Sequence, residues 1–123
     1  MSVFHFKRFS VANERSAMKV NTDGVLLGAV TTVLPSDRQV LDVGTGTGTV
    51  ALMVAQRLDA ECLDADWHIQ GIDIDAPSAE EASENFGQSP WREHLASVNI
   101  GLGAFRAANS GIRYDLIVSN PPY

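Results

Sequence analysis

Cysteine is almost missing from this sequence: Cys62 stands alone, so no intrachain disulfide and no thiolate metal cluster can form. Histidine is nearly as scarce. His5, His68 and His94 make no pair at the helical spacing that would grip a metal ion, and no metal is expected. No stretch approaches the roughly 18 continuous apolar residues of a membrane span, and the opening MSVFHFKRFS lacks the long apolar run of a signal peptide. A cytoplasmic protein without a membrane partner is the expectation. Basic charge is also in short supply, nine Lys and Arg against fifteen Asp and Glu, for a formal charge of -6. That balance at first argues against nucleic acid, because phosphate affinity needs cations at the contact surface.

The distribution of charge changes the argument. Lys7, Arg8, Arg15 and Lys19 face only Glu14 within the first 20 residues, whereas the remainder holds five bases and fourteen acids. The amino-terminal arm is locally basic. Charge alone leaves two readings open, a solvated arm and an RNA-contact surface built on Lys7, Arg8 and Arg15. With 123 residues, 45% of them apolar, the chain can bury one core but hardly two. No repeat, low-complexity tract or linker divides it, so residues 1–35 are expected to form a basic arm and helix packed on a body of residues 36–123.

Strands alternate with helices along that body, the pattern of an α/β fold with a parallel sheet and crossover helices. FHFKRF alternates apolar and basic residues, which predicts a short strand or hairpin with Phe4, Phe6 and Phe9 facing a core. NTDGVLLGAVTTVL, residues 21–34, predicts a helix capped by Asn21 or Thr22, with Asp23 in its first turn and Pro35 just past its end. QVLDVGTGTGTVALMVAQRL reads as strand, glycine turn and helix. WHIQGIDID is a second strand, and APSAEEASENF a helix whose early Pro77, Glu80 and Glu81 suit a helix start. ASVNIGL and YDLIVS supply a third and a fourth strand.

Chemistry concentrates in three places. In LDVGTGTG, Leu41 to Gly48, alternating glycines lead a strand into a helix, and glycine lets a ligand approach the main chain closely. A dinucleotide fingerprint would put its third glycine at position 49, which is Thr49, so the spacing is wrong for NAD. Asp42 would repel a pyrophosphate but suits a ligand with an ammonium group, such as S-adenosylmethionine. In GIDID, Asp73 ends the second strand, where a carboxylate can accept both ribose hydroxyls of a nucleoside lying across the sheet. Ile72 or Ile74 can flank the adenine, and Asp75 is placed to cap the next helix. In DLIVSNPPY, an apolar strand runs into an Asn-Pro-Pro-Tyr turn. Proline fixes φ and removes backbone donors, so carbonyl oxygens and the Asn amide oxygen can converge and grip one planar amino group.

The order Asp42 with Gly44, Gly46 and Gly48, then Asp73, then Asn120-Pro121-Pro122-Tyr123 resembles the amino-group methyltransferases over nearly the whole chain. AMKVNTDGVLLGAV, with FKRF before it and ENFGQSPW at Glu84 to Trp91, resembles the bacterial tRNA adenine N6-methyltransferases that modify adenine 37 of a valine tRNA. The resemblance implies a Rossmann-like S-adenosylmethionine-dependent methyltransferase fold, S-adenosylmethionine as cofactor and tRNA as partner. It implies catalytic roles for Asn120, Pro121, Pro122 and Tyr123. The first two would accept the hydrogens of the target amine and Tyr123 would stack on the extruded base. Lys19, Thr22 and Asp23 would help close over the methionine end, held by Asp42, Gly44, Gly46 and Gly48, while Asp73 and Ile74 would meet the nucleoside. Asn21 stands where the family usually has glycine, and Leu102 lies near the place of an Asp that usually receives the cofactor's adenine amino group. The family continues past the turn with further strands, so the fold is expected to be truncated after the fourth strand, with the C-terminal half absent. A 3-2-1-4 strand order would leave that strand an exposed apolar edge, open to pairing with another chain. Two alternatives stand beside this reading: a protein-glutamine N5-methyltransferase, which generally carries a helical domain ahead of its nucleotide fold, and a cofactor-binding remnant without turnover.

Overall fold

The computed structural model describes residues 3–17, 19–61 and 66–121. Cys62 lies outside the described residues. A hairpin opens the chain, with β1 (Val3–His5) antiparallel to β2 (Ser10–Ala12). Its aromatics do not all turn inward as the alternation predicts. Phe9 is buried and Phe6 packs half-buried on the core, but Phe4 is 44% exposed, because all three residues of β1 are exposed and its side chains find no covering layer. Phe6 stacks on Phe9 with ring centroids 4.5 Å apart, and Phe9 meets Trp91 edge-on at 5.8 Å. Such pairs add about 0.5–1.5 kcal/mol each beyond area burial, and here they tie the hairpin to the body.

Helix α1 (Thr22–Val30) is capped by Asn21, whose side-chain oxygen accepts from the Gly24 N–H at 2.8 Å. It stops earlier than the apolar pattern suggests. Thr31 is already extended, at φ -54° and ψ 135°, and the β-branched run Thr31-Thr32-Val33 favours that geometry. The Arg57 guanidinium donates to the carbonyl oxygens of Gly28 and Thr31, satisfying the helix end from α2 (Thr49–Glu61). The two helices approach so closely that a Cβ on Gly28 would lie 2.6 Å from the Met53 sulfur.

The sheet is parallel throughout. Strands β3 (Gln39–Val43), β4 (His68–Asp73), β5 (Leu95–Asn99) and β6 (Leu116–Ser119) lie in the order β5-β4-β3-β6, which is the 3-2-1-4 order expected. The register sets Asp42 opposite both Gly71 and Val118, and Asp73 opposite Asn99. Val54 and Leu58 of α2, with Ala82 and Phe86 of α3 (Ala76–Gly87), bury Val40, Ile69 and Val118 in the main core. Phe105 of α4 (Leu102–Ala108) covers Leu41 and Ile72 in a smaller cluster. Strand β6 has β3 as its one neighbour among the described residues, and Ile117 on it is 61% exposed.

The start of α3 differs from the sequence reading. Asp75 does cap it, accepting from the Ser78 N–H at 3.2 Å, but no acidic residue occupies the first turn. Glu81 is fully buried and turned toward the arm, because backbone N–H groups there need an acceptor more than the helix dipole needs a charge.

Candidate active site at the carboxyl ends of the strands

Three positive-φ glycines shape the loop from β3 to α2: Gly44 at 73°, Gly46 at 55° and Gly48 at 87°. Only glycine adopts this geometry without strain. At Gly48 the demand is doubled, since a Cβ would lie 2.6 Å from the Phe86 ring. At Gly44 nothing stands within 4 Å of a Cβ, leaving the main chain approachable. Gly71 on β4 gives clearance for the loop to lie over the sheet, with Thr45 Oγ1 only 2.8 Å from where its Cβ would be.

The loop rests on Asp73. One carboxylate oxygen accepts from the Gly46 N–H at 2.9 Å, and the other from the Asp75 N–H at 2.9 Å. An ionised carboxylate offers about four lone-pair sites, so the geometry leaves acceptor capacity on both oxygens. Asp73 lines a cavity of about 410 Å³ together with Gly44, Gly46, Ile74, Ile100 and Leu102, and with Ala17, Ser119 and Pro121. That volume is within the usual range for a small-molecule site, roughly 300–1,000 Å³. Asp75 and Ser78 also line the cavity, so mostly apolar walls with carboxylates on one side suit a flat apolar ring joined to a diol.

Asp42 lies beneath the loop and is only 1% exposed. Thr45 Oγ1 donates to it at 2.9 Å. Burial pushes its pKa up to about 7, against the opposing hydrogen bonds from the Thr45 hydroxyl and the Ala51 backbone, and the nearby Asp73 charge adds to the rise. A second cavity of about 30 Å³ joins Asp42 to Lys19, Asn21, Gly24, Thr49 and Asn120, room for one or two water-sized groups.

The methyltransferase small domain family matches over residues 16–123. This chain belongs to that family. Within it, the chain is 47% identical to a tRNA1(Val) (adenine(37)-N6)-methyltransferase of Flavobacterium johnsoniae over 121 residues, 98% of this chain and 48% of that protein. It is 47% identical to the protein of the same name from Bacteroides fragilis, covering 98% of this chain and 47% of that one. The chain thus spans about half the length of the curated relatives it matches. A SAM-dependent methyltransferase from Agrobacterium tumefaciens superimposes with a TM-score of 0.68 at 17% identity, covering 98% of this chain and 39% of that one. The N-terminal domain of human METTL16 in complex with SAH gives 0.52 at 20% identity, over 80% and 37%. These superpositions show the methyltransferase fold.

The residues nominated from the sequence divide accordingly in this methyltransferase small domain. Gly44, Gly46, Asp73 and Ile74 line the larger cavity, Lys19 and Asp42 the smaller. Asn120 lines the smaller and Pro121 the larger, so the turn straddles the two. Gly48 lines neither; it shapes the loop from behind, against Phe86. Thr22 and Asp23 are exposed on the first turn of α1 and also line neither cavity, while Gly24 beside them does. Pro122 and Tyr123 lie outside the described residues. Leu102 opens α4 and presents an apolar wall to the larger cavity. Lys7 is exposed in the hairpin turn. Arg8 bonds Asp59 at 3.1 Å and lies 5.2 Å from the centre of the Trp91 ring, and Arg15 pairs with Glu84. Exposed pairs of this kind contribute about 0–1 kcal/mol, which leaves the Arg8 guanidinium exchangeable toward a stronger anion; Arg15 is held more firmly, since its Nε also lies 3.6 Å from the buried Glu81 carboxylate.

Sequence reasoning missed the inner face of α3. Ser78, Glu81 and Asn85 are buried there, three and four residues apart on one helical stripe, and all three bond the arm. Polar residues at that spacing are the signal, but in the sequence they are indistinguishable from a solvated face.

Proposed function

We propose that this chain carries the cofactor-binding and amine-gripping part of an S-adenosylmethionine-dependent tRNA adenine N6-methyltransferase. The observation that carries the reading is the convergence of Asp73, the glycine loop and Asn120-Pro121 on two adjoining cavities at the carboxyl ends of β3, β4 and β6. The lining fits such a cofactor: Gly44 leaves its main chain open to contact, and Asp73 keeps acceptor capacity toward an apolar cavity. When bound, S-adenosylmethionine supplies an electrophilic methyl group on a sulfonium.

The protein's own groups do the rest by position. Asp73 would accept the ribose hydroxyls, and Ile74 and Leu102, on the same cavity, would enclose the adenine. Asp42, poised near neutrality, becomes anionic when a cation approaches, because the added charge offsets the cost of burial. The Asn120 side-chain oxygen and the Pro121 carbonyl would accept hydrogen bonds from the target amine, favouring a lone pair localised on its nitrogen. Tyr123 provides the stacking surface for an extruded base, and Lys7, Arg8 and Arg15 meet tRNA phosphates. The relatives' printed names, which specify adenine 37 of a valine tRNA, support RNA over protein as the substrate, and a tRNA substrate places the enzyme in the cytoplasm.

Incubation with labelled S-adenosylmethionine and unmodified valine tRNA tests this, with the product nucleoside identified by mass spectrometry. Label on adenine N6 is expected. Asn120→Ala should lower single-turnover methylation on the order of 100-fold to 1,000-fold, the usual loss for one positioned electrostatic contact, and leave cofactor affinity in place. Label on protein glutamine would transfer the function to the N5 class, and cofactor binding without any transfer would leave a binding remnant.

A further inference from the structure

We propose that the Glu81 carboxylate is a positioning residue for this site: it clamps residues 14–16 into a fixed strap and governs ligand affinity through that strap, without touching the ligand. One oxygen accepts from the N–H groups of Glu14 at 2.9 Å and Arg15 at 3.0 Å, and the other from the Ser16 N–H at 3.1 Å and the Ser16 hydroxyl at 2.8 Å. Three consecutive backbone donors converge on one fully buried side chain. Between β2 and α1 the described chain has no regular secondary structure, so those donors have no ladder to join and need a partner from elsewhere.

What the strap carries makes this more than anchorage. Its continuation supplies Ala17 to the larger cavity, and Lys19, Val20 and Asn21 to the smaller. The Ala17 N–H donates to Ser78 Oγ at 3.1 Å, and that hydroxyl donates to Asp75 at 2.6 Å. The Asp75 N–H in turn donates to Asp73. At the other end of the stripe, Asn85 exchanges bonds with the Ala12 backbone at 2.8 and 3.1 Å and donates to the Thr47 carbonyl of the glycine loop at 2.7 Å. Helix α3 therefore sets the strap, the loop and the ribose-facing carboxylate in one frame, and Glu81 is its central bond. The identity of the ligand rests on the function proposed above; the clamp does not.

The test uses the full chain with S-adenosylhomocysteine as the calorimetric probe. Glu81→Gln keeps the side chain's shape but turns an amide NH2 against backbone donors. Hydrogen exchange at residues 14–17 should accelerate at least tenfold while the β4 amides keep their protection, and probe affinity should fall tenfold or more in the folded protein. Ser16→Ala, which removes only the hydroxyl bond, should give a loss of a few-fold in the same direction, and decides the matter if Glu81→Gln does not fold. A role in fold stability alone would lower the melting temperature but leave the affinity of the folded protein within twofold, and that result overturns the proposal, as does unchanged exchange at 14–17. If the unsubstituted chain does not bind the probe, the proposed function falls, and exchange at 14–17 still decides the clamp.

Discussion

Asp42→Asn should stabilise the protein, and by an amount that depends on pH. The carboxyl is 1% exposed and its pKa rises from 3.8 to about 7 on folding, so between these values the folded state holds a proton that the unfolded chain has released. Stability then falls as pH rises from about 4 to about 7, and the full penalty persists above pH 7. At 1.36 kcal/mol for each pH unit between the two values, the penalty is at most roughly 4 kcal/mol. The substituted amide stays uncharged throughout and can still accept from the Thr45 hydroxyl. Urea titrations of both proteins from pH 4 to pH 8 provide the assay. The variant should be about equal to the parent near pH 4 and more stable by a few kcal/mol near pH 8, with the gap opening between. Parallel profiles across that range would refute a buried, readily protonated Asp42. The same reasoning sets the sign for a cationic cofactor: its binding should tighten as pH rises through about 7 and release a proton near neutrality. Both effects should vanish in Asp42→Asn.

Asp73→Ala should weaken S-adenosylmethionine by about 1–3 kcal/mol, the range for hydrogen bonds to a charged group, and calorimetry showing equal affinity would remove Asp73 from the site. Gly48→Ala should destabilise by about 2–4 kcal/mol, since a left-handed backbone and overpacking against Phe86 add together. Gly44→Ala, strained in φ but free of any neighbour within 4 Å, should cost only about 1–2 kcal/mol by the same denaturation measurement.

The parts of this molecule that sequence reveals are the parts whose causes are local. Strand, glycine turn and helix follow one another within residues 39–61, and the position of Thr49 is enough to set a dinucleotide aside. The placing of Asp73 at a strand end follows from the same pattern, whereas the strand order, set by contacts between distant segments, comes only with the family resemblance. Phe4 departs from its expected burial because alternation shows which residues share a face but not whether anything covers it. Glu81 departs for a different reason. Its partners are 65 to 67 residues away, and near the start of a helix an acid that meets distant backbone donors reads like one that meets the dipole. Gly24 is similar: a Cβ there would stand 3.0 Å from the Asn120 amide, a clearance set by a residue almost at the far end of the sequence.

The long reach of these bonds also fixes an order of events during synthesis. The arm is made before α3, and its acceptors on Glu81 and Asn85 do not exist until some 65 to 73 further residues have been joined. At about 5–20 residues per second, that interval is on the order of 3 to 15 seconds. For that time Lys7, Arg8, Arg15 and Lys19 travel as an unseated basic segment of the nascent chain, beside the polyanionic RNA of the machine that makes it.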